Sequence, residues 1–406
     1  MHTGRTPLLG WLAVVSVMMG IFSIVTTEIM PIGLLTTIGS HFQISDGTAG
    51  WMMTMPGIIA AVAAPLVTVT TRRIDRRLML CALMALLAAA DFLSAAAPTY
   101  WVMLTARALV GFTIGGFWSI GAGLAVRLVG EKSAVTATAV IFSAVPLGSV
   151  LGVPAGTLIG HVAGWRASFA VMGILTVGVL VALIALLPPL PPVQATRLNV
   201  LGGLLRRTDI RIGLVATFLI VTAHFGTYTY VTPFLQQVTH LESGLISTVL
   251  LVYGAAGIVG NFIAGSTISR NLRATFIVSA CMLAAATLLL PVLGAGDAGA
   301  IGLLIVWGLA YGAVPVCSQT WLARAAPHAQ EAATVLFTSS FQATISIGAL
   351  LGGVVVDVAS TSAVMVCGGV VAALTVIALS RPEPATLPPV TLSDEYAARS
   401  GGVNSR

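Results

Sequence analysis

Apolar runs of roughly twenty residues recur along the whole chain, and short breaks containing arginine, glycine or proline separate them. A helix needs about twenty apolar residues to cross the hydrocarbon core of a bilayer. The runs are continuous, whereas the strands of a membrane barrel alternate polar and apolar residues. The pattern therefore predicts an all-α polytopic membrane protein with twelve transmembrane helices. The predicted spans are residues 8–37, 49–71, 78–97, 99–121, 135–158, 165–187, 211–237, 244–268, 273–293, 300–323, 332–356 and 361–380.

Composition agrees with burial in lipid, because charged residues make up 8% of the chain and hydrophobic residues 57%. A typical soluble domain contains about 25% charged residues, so a water-soluble fold is excluded. The first apolar run is longer than the apolar region of a signal peptide, which covers about 7–15 residues. We therefore expect this run to remain attached as the first transmembrane helix.

Basic residues are distributed unequally between the two sides of the predicted membrane. If the N-terminus is cytoplasmic, seventeen of the 19 lysines and arginines lie on the cytoplasmic side. Arg166 then lies outside and Arg107 lies within a span. The positive-inside rule predicts a multi-pass protein of the bacterial cytoplasmic (inner) membrane with both termini in the cytoplasm. The net charge of +6 reflects this topology, so we expect the lipid bilayer as a partner and no nucleic acid.

A segment rich in proline and arginine divides the spans into six plus six. Prolines end the sixth helix, and the following arginines favour the cytoplasmic face. We predict an N-terminal six-helix bundle over 1–187, a cytoplasmic linker over 188–210 and a C-terminal six-helix bundle over 211–380. Residues 381–406 are rich in proline, serine and glycine, which predicts a disordered cytoplasmic tail.

Two pairs of stretches repeat between the halves. After the second and eighth spans come "TVTTRRIDRRLML" and "GSTISRNLRATFI", each with arginine at its sixth and ninth positions. These positions are Arg73, Arg76, Arg270 and Arg273. The fifth and eleventh spans carry the small-residue stretches "GSVLGVPAG" and "GALLGG", which let helix backbones approach closely. Repeats at equivalent places predict two pseudo-symmetric bundles.

Two motifs resemble those of a known family. "LTARALVG" in the fourth span fits L-x-x-R-x-x-x-G through Arg107 and Gly111. "TVTTRRIDRR" fits a loop motif, G-x-L-x-D-R-x-G-R-R, through its basic positions, although Asp75 stands where the family has glycine. The basic positions that it keeps are Arg73, Arg76 and Arg77.

A third, looser motif lies in the fifth span, where "GSVLGVPAG" places Gly148, Gly152, Pro154 and Gly156. By these motifs the chain resembles the major facilitator superfamily, in its twelve-span drug and metabolite:proton antiporter branch. Shorter strings such as "GGFW", "GWRASF", "TYVTP" and "VWGLAYGAVPV" resemble bacterial purine ribonucleoside efflux pumps, and sugar-efflux relatives share several of them.

The resemblance implies the major facilitator fold and secondary active efflux by proton antiport through alternating access. The exported substrate would be a small organic solute, purine ribonucleoside-like or drug-like. In this family the loop motif is thought to latch the two halves together on the cytoplasmic side. We expect protons and the solute as partners, a monomer, no cofactor or metal, and no enzymatic activity.

Three strongly ionisable residues lie well inside predicted spans, where a charge costs at least about 2.5 kcal/mol. Glu28 precedes Pro31, which bends the helix, and we expect Glu28 to couple transport to protons. The alternative is an acid near a helix end whose side chain extends to water. Arg107 either ties helices together through backbone carbonyls or influences the protonation of a nearby carboxylate. Asp91 is expected near the outer surface as a structural polar cap, with proton handling as the alternative.

Polar and aromatic residues within the spans are the candidates for substrate contact. Stacking rings with amide and hydroxyl groups suit a nucleobase, and they also suit sugars and many drugs. Packing against other helices or lipid is the alternative for each of them. The candidates are Thr27, Phe117, Trp118, His224, Tyr228, Tyr230, Asn261, Tyr311, Gln319 and Gln342.

Other functions remain open from the sequence alone. A sugar or multidrug efflux permease of the same superfamily would have the same pattern, and so would a facilitator or an uptake permease. A membrane-embedded enzyme would need a cluster of acids, bases or metal ligands on neighbouring helices. Residues of such a cluster that share a helix would be spaced i, i+3 or i+4. The buried ionisable residues do not show this spacing.

Overall fold

The computed structural model of the chain describes residues 7–70, 74–121, 124–191, 203–327 and 329–380. The predicted tail 381–406, Arg73 and residues 192–202 of the predicted linker lie outside these ranges. The helices are α1 Pro7–Ile29, α2 Pro31–Phe42, α3 Asp46–Ala49, α4 Trp51–Thr70, α5 Arg76–Ala96, α6 Tyr100–Gly121, α7 Leu124–Val129, α8 Ala134–Ala163, α9 Trp165–Leu186, α10 Thr208–Tyr228, α11 Val231–Gln237, α12 Ser243–Leu293, α13 Asp297–Ala325, α14 Gln330–Val358 and α15 Thr361–Ser380.

Eleven of the described helical segments are long and apolar enough to span a membrane. One of them, α12, contains two predicted spans joined at a kink, since Asn271 has non-helical φ and ψ angles of −154° and 95°. The side-chain oxygen of Asn271 accepts a hydrogen bond from the backbone N–H of Ala274 at 2.9 Å, and so caps the second segment. The all-α fold with twelve predicted spans is confirmed, with the eighth and ninth spans forming one kinked helix.

The helices form two bundles with matching packing. In the first bundle α1 packs on α8, α4 on α6, and α5 on α9. In the second bundle α10 packs on α14 and α15, while α12 packs on α13 and α15. The most extensive helix contacts between the bundles are those of α4 with α14 and of α8 with α12.

The first helix of each bundle is interrupted before a proline. Helix α1 ends at Ile29 and α2 begins at Pro31, while α10 ends at Tyr228 and Pro233 lies in α11. Proline has no backbone N–H, so a helix interrupted there leaves carbonyl groups without an intrahelical donor. The break in α1 places such carbonyls beside Glu28.

The two ends of the helix bundles differ in chemistry, and we name them by their residues. The arginine end carries Arg76, Arg77, Arg127, Arg207, Arg270 and Arg324. The Asp357 end carries Ser45, Asp46, Gln237 and Asp357.

Candidate functional site

Arg107 is fully buried in α6 and binds three backbone carbonyls. Its Nη1 and Nη2 donate to the carbonyl oxygens of Thr27 and Glu28, each at 2.8 Å. Its Nε donates to the carbonyl oxygen of Met52 in α4 at 3.0 Å. One guanidinium therefore ties α6 to α1 and α4, as the first of the two predicted roles requires.

Prolines explain why these carbonyls are free to accept. In an α-helix the carbonyl of residue i accepts from the N–H of residue i+4. The partner of Thr27 would be Pro31, and the partner of Met52 would be Pro56. Neither proline has an N–H, so Arg107 supplies the donors that both helices lack.

Gly111 explains how Arg107 reaches α4. It lies one turn after Arg107, and a Cβ added there would overlap the carbonyl oxygen of Pro56. The missing side chain lets the α6 and α4 backbones approach closely. The arginine and glycine of "LTARALVG" therefore act together in holding α4.

Glu28 points away from Arg107 and towards the second bundle. Its carboxyl oxygen Oε1 accepts a hydrogen bond from Nε2 of Gln342 in α14 at 3.0 Å. Glu28 is 8% exposed and Gln342 is 5% exposed. The ion pair found within the described ranges is Arg207–Asp209, and Arg107 contacts only the backbone of Glu28. A buried carboxyl thus lies at the joint between the bundles.

Three glycines of the fifth span bring α8 against the segment that carries Glu28. A Cβ on Gly148 would lie 3.0 Å from Val25, and one on Gly152 would lie 3.2 Å from Thr26. A Cβ on Gly156 would overlap Met30. Pro154 lies inside the same helix. This stripe fixes α8 beside the break in α1.

Asp91 is fully buried, which corrects the prediction of a polar cap near the surface. Its Oδ2 accepts from the hydroxyls of Thr27 at 3.3 Å and Thr176 at 3.4 Å. Its Oδ1 has no hydrogen-bond partner. The physical reason is that α9 packs over the end of α5 and covers the carboxyl with Thr176.

Five aromatic side chains of the second bundle form what we call the aromatic cluster: His224, Tyr228, Tyr253, Trp307 and Tyr311. His224 and Tyr311 stack with centroids 3.3 Å apart and an 8° interplanar angle. Tyr228 and Tyr253 stack at 4.6 Å, and Trp307 contacts His224 edge-on at 5.8 Å. Tyr311 is half-exposed, whereas His224 and Trp307 are buried.

The geometry of the aromatic cluster assigns the tautomer of His224. The indole Nε1 of Trp307 donates to His224 Nδ1 at 3.1 Å. A neutral imidazole that accepts at one nitrogen carries its proton on the other. His224 therefore holds its N–H at Nε2, and its ring is fixed both by the indole and by stacking on Tyr311.

Several predicted substrate contacts lie outside the aromatic cluster. Phe117 packs on Gly20 within the first bundle, and Trp118 packs on Phe142 at 6.0 Å. Thr27 directs its hydroxyl to Asp91 rather than towards Glu28. These contacts are made within the first bundle.

Three other predicted substrate contacts, Tyr230, Asn261 and Gln319, also lie outside the aromatic cluster. Tyr230 is buried, and its hydroxyl donates to the carbonyl of Ala349 at 2.8 Å. Asn261 is half-buried in α12, and Gln319 is exposed in α13. Of the three predicted amide side chains, Gln342 is the one that donates a hydrogen bond to Glu28.

The described hydrogen bonds of the loop motif join segments of the same bundle in this conformation. Asp75 accepts from the backbone N–H of Arg77 at 2.7 Å and of Leu190 at 3.0 Å. Arg77 donates to the carbonyl of Ile184 at 2.6 Å, and the N–H of Arg76 donates to Leu190 at 2.9 Å. Hydrogen bonds between the two bundles occur at Glu28 and at the Asp357 end.

A cross-bundle contact closes the Asp357 end. The Asp357 carboxylate accepts from the Ser45 hydroxyl at 2.7 Å and from the Gly47 N–H at 2.9 Å. Beside it, Gln237 donates its side-chain amide to Asp46 at 3.0 Å. Side chains from α11 and α14 thereby hold the start of α3.

A bulky residue at Gly50 is expected to open the Asp357 end, because a Cβ there would overlap the Tyr230 hydroxyl. Overpacking typically costs about 1–3 kcal/mol, enough to shift an equilibrium between conformations. In Gly50→Val, spin labels at His41 and Ser360, both exposed, should report longer distances. Gly244→Val is the matched control, since nothing lies within 4 Å of its Cβ. Unchanged distances in Gly50→Val, or equal changes in both variants, would contradict this account.

Sequence reasoning missed Tyr253, Thr176 and Pro56. Tyr253 lies in the apolar stretch "LLVYGAAG", where nothing distinguishes it from a lipid-facing residue. Pro56 does leave a signal, since a proline inside a span frees the carbonyl four residues earlier. No group of His, Cys, Asp or Glu side chains suited to a metal ion occurs in the part of the chain that the structure describes.

Comparison with known proteins agrees with this architecture. The model of the Major Facilitator Superfamily matches residues 11–342. The transcription regulatory protein OpdE of Pseudomonas aeruginosa is 32% identical over 354 residues, covering 86% of this chain and 87% of its own. The purine ribonucleoside efflux pump NepI of Escherichia coli K12 is 29% identical over 363 residues, covering 88% and 91%.

Solved structures of low sequence identity share the fold. The human organic anion transporter MFSD10 superposes with a TM-score of 0.64 at 17% identity, over 91% of this chain and 99% of its own. A bacterial homologue of the human lysosomal transporter Spinster, inward-facing and unoccupied, gives 0.67 at 14% identity, over 93% and 95%. The chain belongs to the Major Facilitator Superfamily and is a multi-pass membrane transporter.

Proposed function

We propose that the protein exports a small organic solute, of purine ribonucleoside type, in exchange for protons. The observation that carries this proposal is the buried contact between Glu28 and Gln342, which links the two bundles at 3.0 Å. Burial among apolar helices disfavours the charged form of a carboxyl, so Glu28 is suited to binding a proton at this position. The alternative substrates are sugars and drug-like solutes.

Coupling follows from the position of Glu28 at the joint between the bundles. A neutral carboxyl can remain buried against the Gln342 amide, whereas a charged carboxylate favours water or a cation. Loss of the proton therefore favours separation of the bundles at this level, and gain of a proton favours their contact. This differential stability is what a ligand needs in order to shift a conformational equilibrium.

Arg107 keeps Glu28 in place without neutralising it. Because the guanidinium binds the backbone oxygens of Thr27 and Glu28, it fixes the end of α1 while leaving the carboxyl free to face the second bundle. Asp91 contacts Thr27 on the opposite side of α1. We assign proton coupling to Glu28, and positioning of the helix that carries it to Arg107 and Asp91.

The aromatic cluster supports a substrate with a flat ring. The partly exposed Tyr311 offers a ring held in place by stacking on His224. A preorganised aromatic face suits a nucleobase, and hydroxyl groups beside it suit ribose. The likeness to the purine ribonucleoside efflux pump NepI also favours this class of substrate.

The orientation of the protein in the membrane is inferred from the asymmetry of its two ends. Basic residues favour the cytoplasmic side, so we place the arginine end in the cytoplasm of a bacterial inner membrane. The cross-bundle contacts at the Asp357 end then close the outer side. In this arrangement an exporter would take up its substrate from the cytoplasm and would bind an outside proton after switching.

Counterflow in proteoliposomes tests the substrate class. Vesicles preloaded with unlabelled inosine should accumulate labelled inosine, and guanosine should compete. The substitution His224→Phe keeps an aromatic ring at this position but removes the acceptor of the hydrogen bond from Trp307. It should therefore raise the inosine concentration that gives half-maximal counterflow several-fold. Signal with sugars or cationic drugs, but not with nucleosides, would replace the nucleoside assignment with the corresponding alternative.

A further inference from the structure

A groove of about 380 Å³ lies at the arginine end of the second bundle, away from Glu28 and the aromatic cluster. Its walls are the two segments of α12 on either side of the kink, together with α13. The volume falls within the range of about 300–1,000 Å³ found for ligand pockets. The groove therefore has room for part of a ligand.

The lining of the groove changes from apolar to polar along its length. Ile263, Val278 and Leu309 contribute to the apolar part, and Ile263 and Val278 are 54% and 55% exposed. In a chain that spans a membrane, apolar side chains this exposed face acyl chains. Arg270 and Asn271 line the polar part.

Arg270 supplies an uncompensated positive charge at the polar part of the groove. It is exposed, and between described residues its guanidinium has neither a hydrogen bond nor an ion pair. Asn271 uses its side-chain oxygen to cap Ala274, so it does not neutralise the arginine. Guanidinium groups bind phosphate oxygens in bidentate geometry.

We propose that this groove binds one anionic phospholipid of the leaflet at the arginine end. One acyl chain lies between Ile263, Val278 and Leu309, and the phosphate contacts Arg270. An anionic lipid is favoured over a zwitterionic lipid because the described lining of the groove includes Arg270 and contains no carboxylate. The groove contains neither Glu28 nor the aromatic cluster. Loss of the lipid site would therefore leave the proposal of proton antiport unaffected, and the reverse also holds.

Native mass spectrometry of the full chain tests the site, with phosphatidylglycerol and phosphatidylcholine of identical acyl chains as probes. The first lipid bound should be phosphatidylglycerol, with about fivefold tighter binding, which corresponds to ~1 kcal/mol per basic residue at an anionic surface. Arg270→Gln should remove this preference. Arg211→Gln is the matched control, since Arg211 is an exposed arginine near the same end, and it should keep the preference.

A second variant separates the groove from the charge. Ala274 lines the groove and is exposed, so Ala274→Trp should fill the space and weaken binding of both lipids, with an unchanged melting temperature in detergent. Glycerol 3-phosphate should not displace phosphatidylglycerol. Equal binding of the two lipids to the wild type, a preference that survives Arg270→Gln, or displacement by glycerol 3-phosphate would overturn the proposal.

Discussion

Replacing Glu28 by glutamine is expected to abolish proton-driven accumulation of inosine while leaving inosine counterflow intact. Glutamine keeps the size of the side chain and a carbonyl that can accept from Gln342, which donates at 3.0 Å in the wild type. It cannot bind or release a proton. In inside-out vesicles, an imposed pH gradient should no longer increase inosine uptake above the uptake that the same variant shows without the gradient.

Two substitutions serve as controls for Glu28→Gln. One replaces Asp297, an acid that lies away from the contact between the bundles, and the other replaces Gln342, the amide that contacts Glu28. Asp297, an exposed acid in the first turn of α13, should tolerate substitution by asparagine without loss of proton-driven uptake. Gln342→Ala should retain proton dependence but weaken contact between the bundles. Full proton-driven uptake by Glu28→Gln would contradict its assignment as the proton carrier.

Replacing Arg107 by methionine is expected to destabilise the protein strongly. The change leaves buried carbonyls at Thr27, Glu28 and Met52 without their donors. Each unsatisfied buried polar group costs about 1–3 kcal/mol, so the melting temperature in detergent should fall by several degrees. Arg207→Met is the control, since its ion pair with Asp209 is exposed and should contribute about 0–1 kcal/mol.

A second substitution tests the physical reason for this loss. Pro31→Ala gives residue 31 an N–H that can reach the Thr27 carbonyl. In that background Arg107→Met should cost less than in the wild type, with a coupling energy of about 0.5–3 kcal/mol. Strictly additive effects would show that Arg107 does not act by satisfying the carbonyl freed by Pro31.

Much of the fold could be predicted from the sequence because lipid imposes simple rules. The apolar runs gave the spans, and Pro31 indicated the break between α1 and α2 that is observed. The glycines of "GSVLGVPAG" were expected to permit close helix packing, and they do lie against Val25, Thr26 and Met30. Each of these inferences depends on residues that are close in sequence.

The partners of the buried groups could not be predicted, since they come from distant helices. Gln342 is 314 residues from Glu28, and no local pattern connects them. Asp91 looked like a surface cap because it lies near a helix end, and only the packing of α9 shows that Thr176 covers it. His224 and Tyr228 share a helix face, but Tyr253 joins them from α12.

Proton flux measured with a pH-sensitive dye inside proteoliposomes tests the central claim most directly. With no imposed pH gradient, an outward inosine gradient through wild-type protein should drive protons inwards and acidify the lumen. The same gradient through Glu28→Gln should move inosine without changing the internal pH. Inosine movement without proton flux in the wild type, or equal acidification by the two proteins, would contradict proton antiport through Glu28.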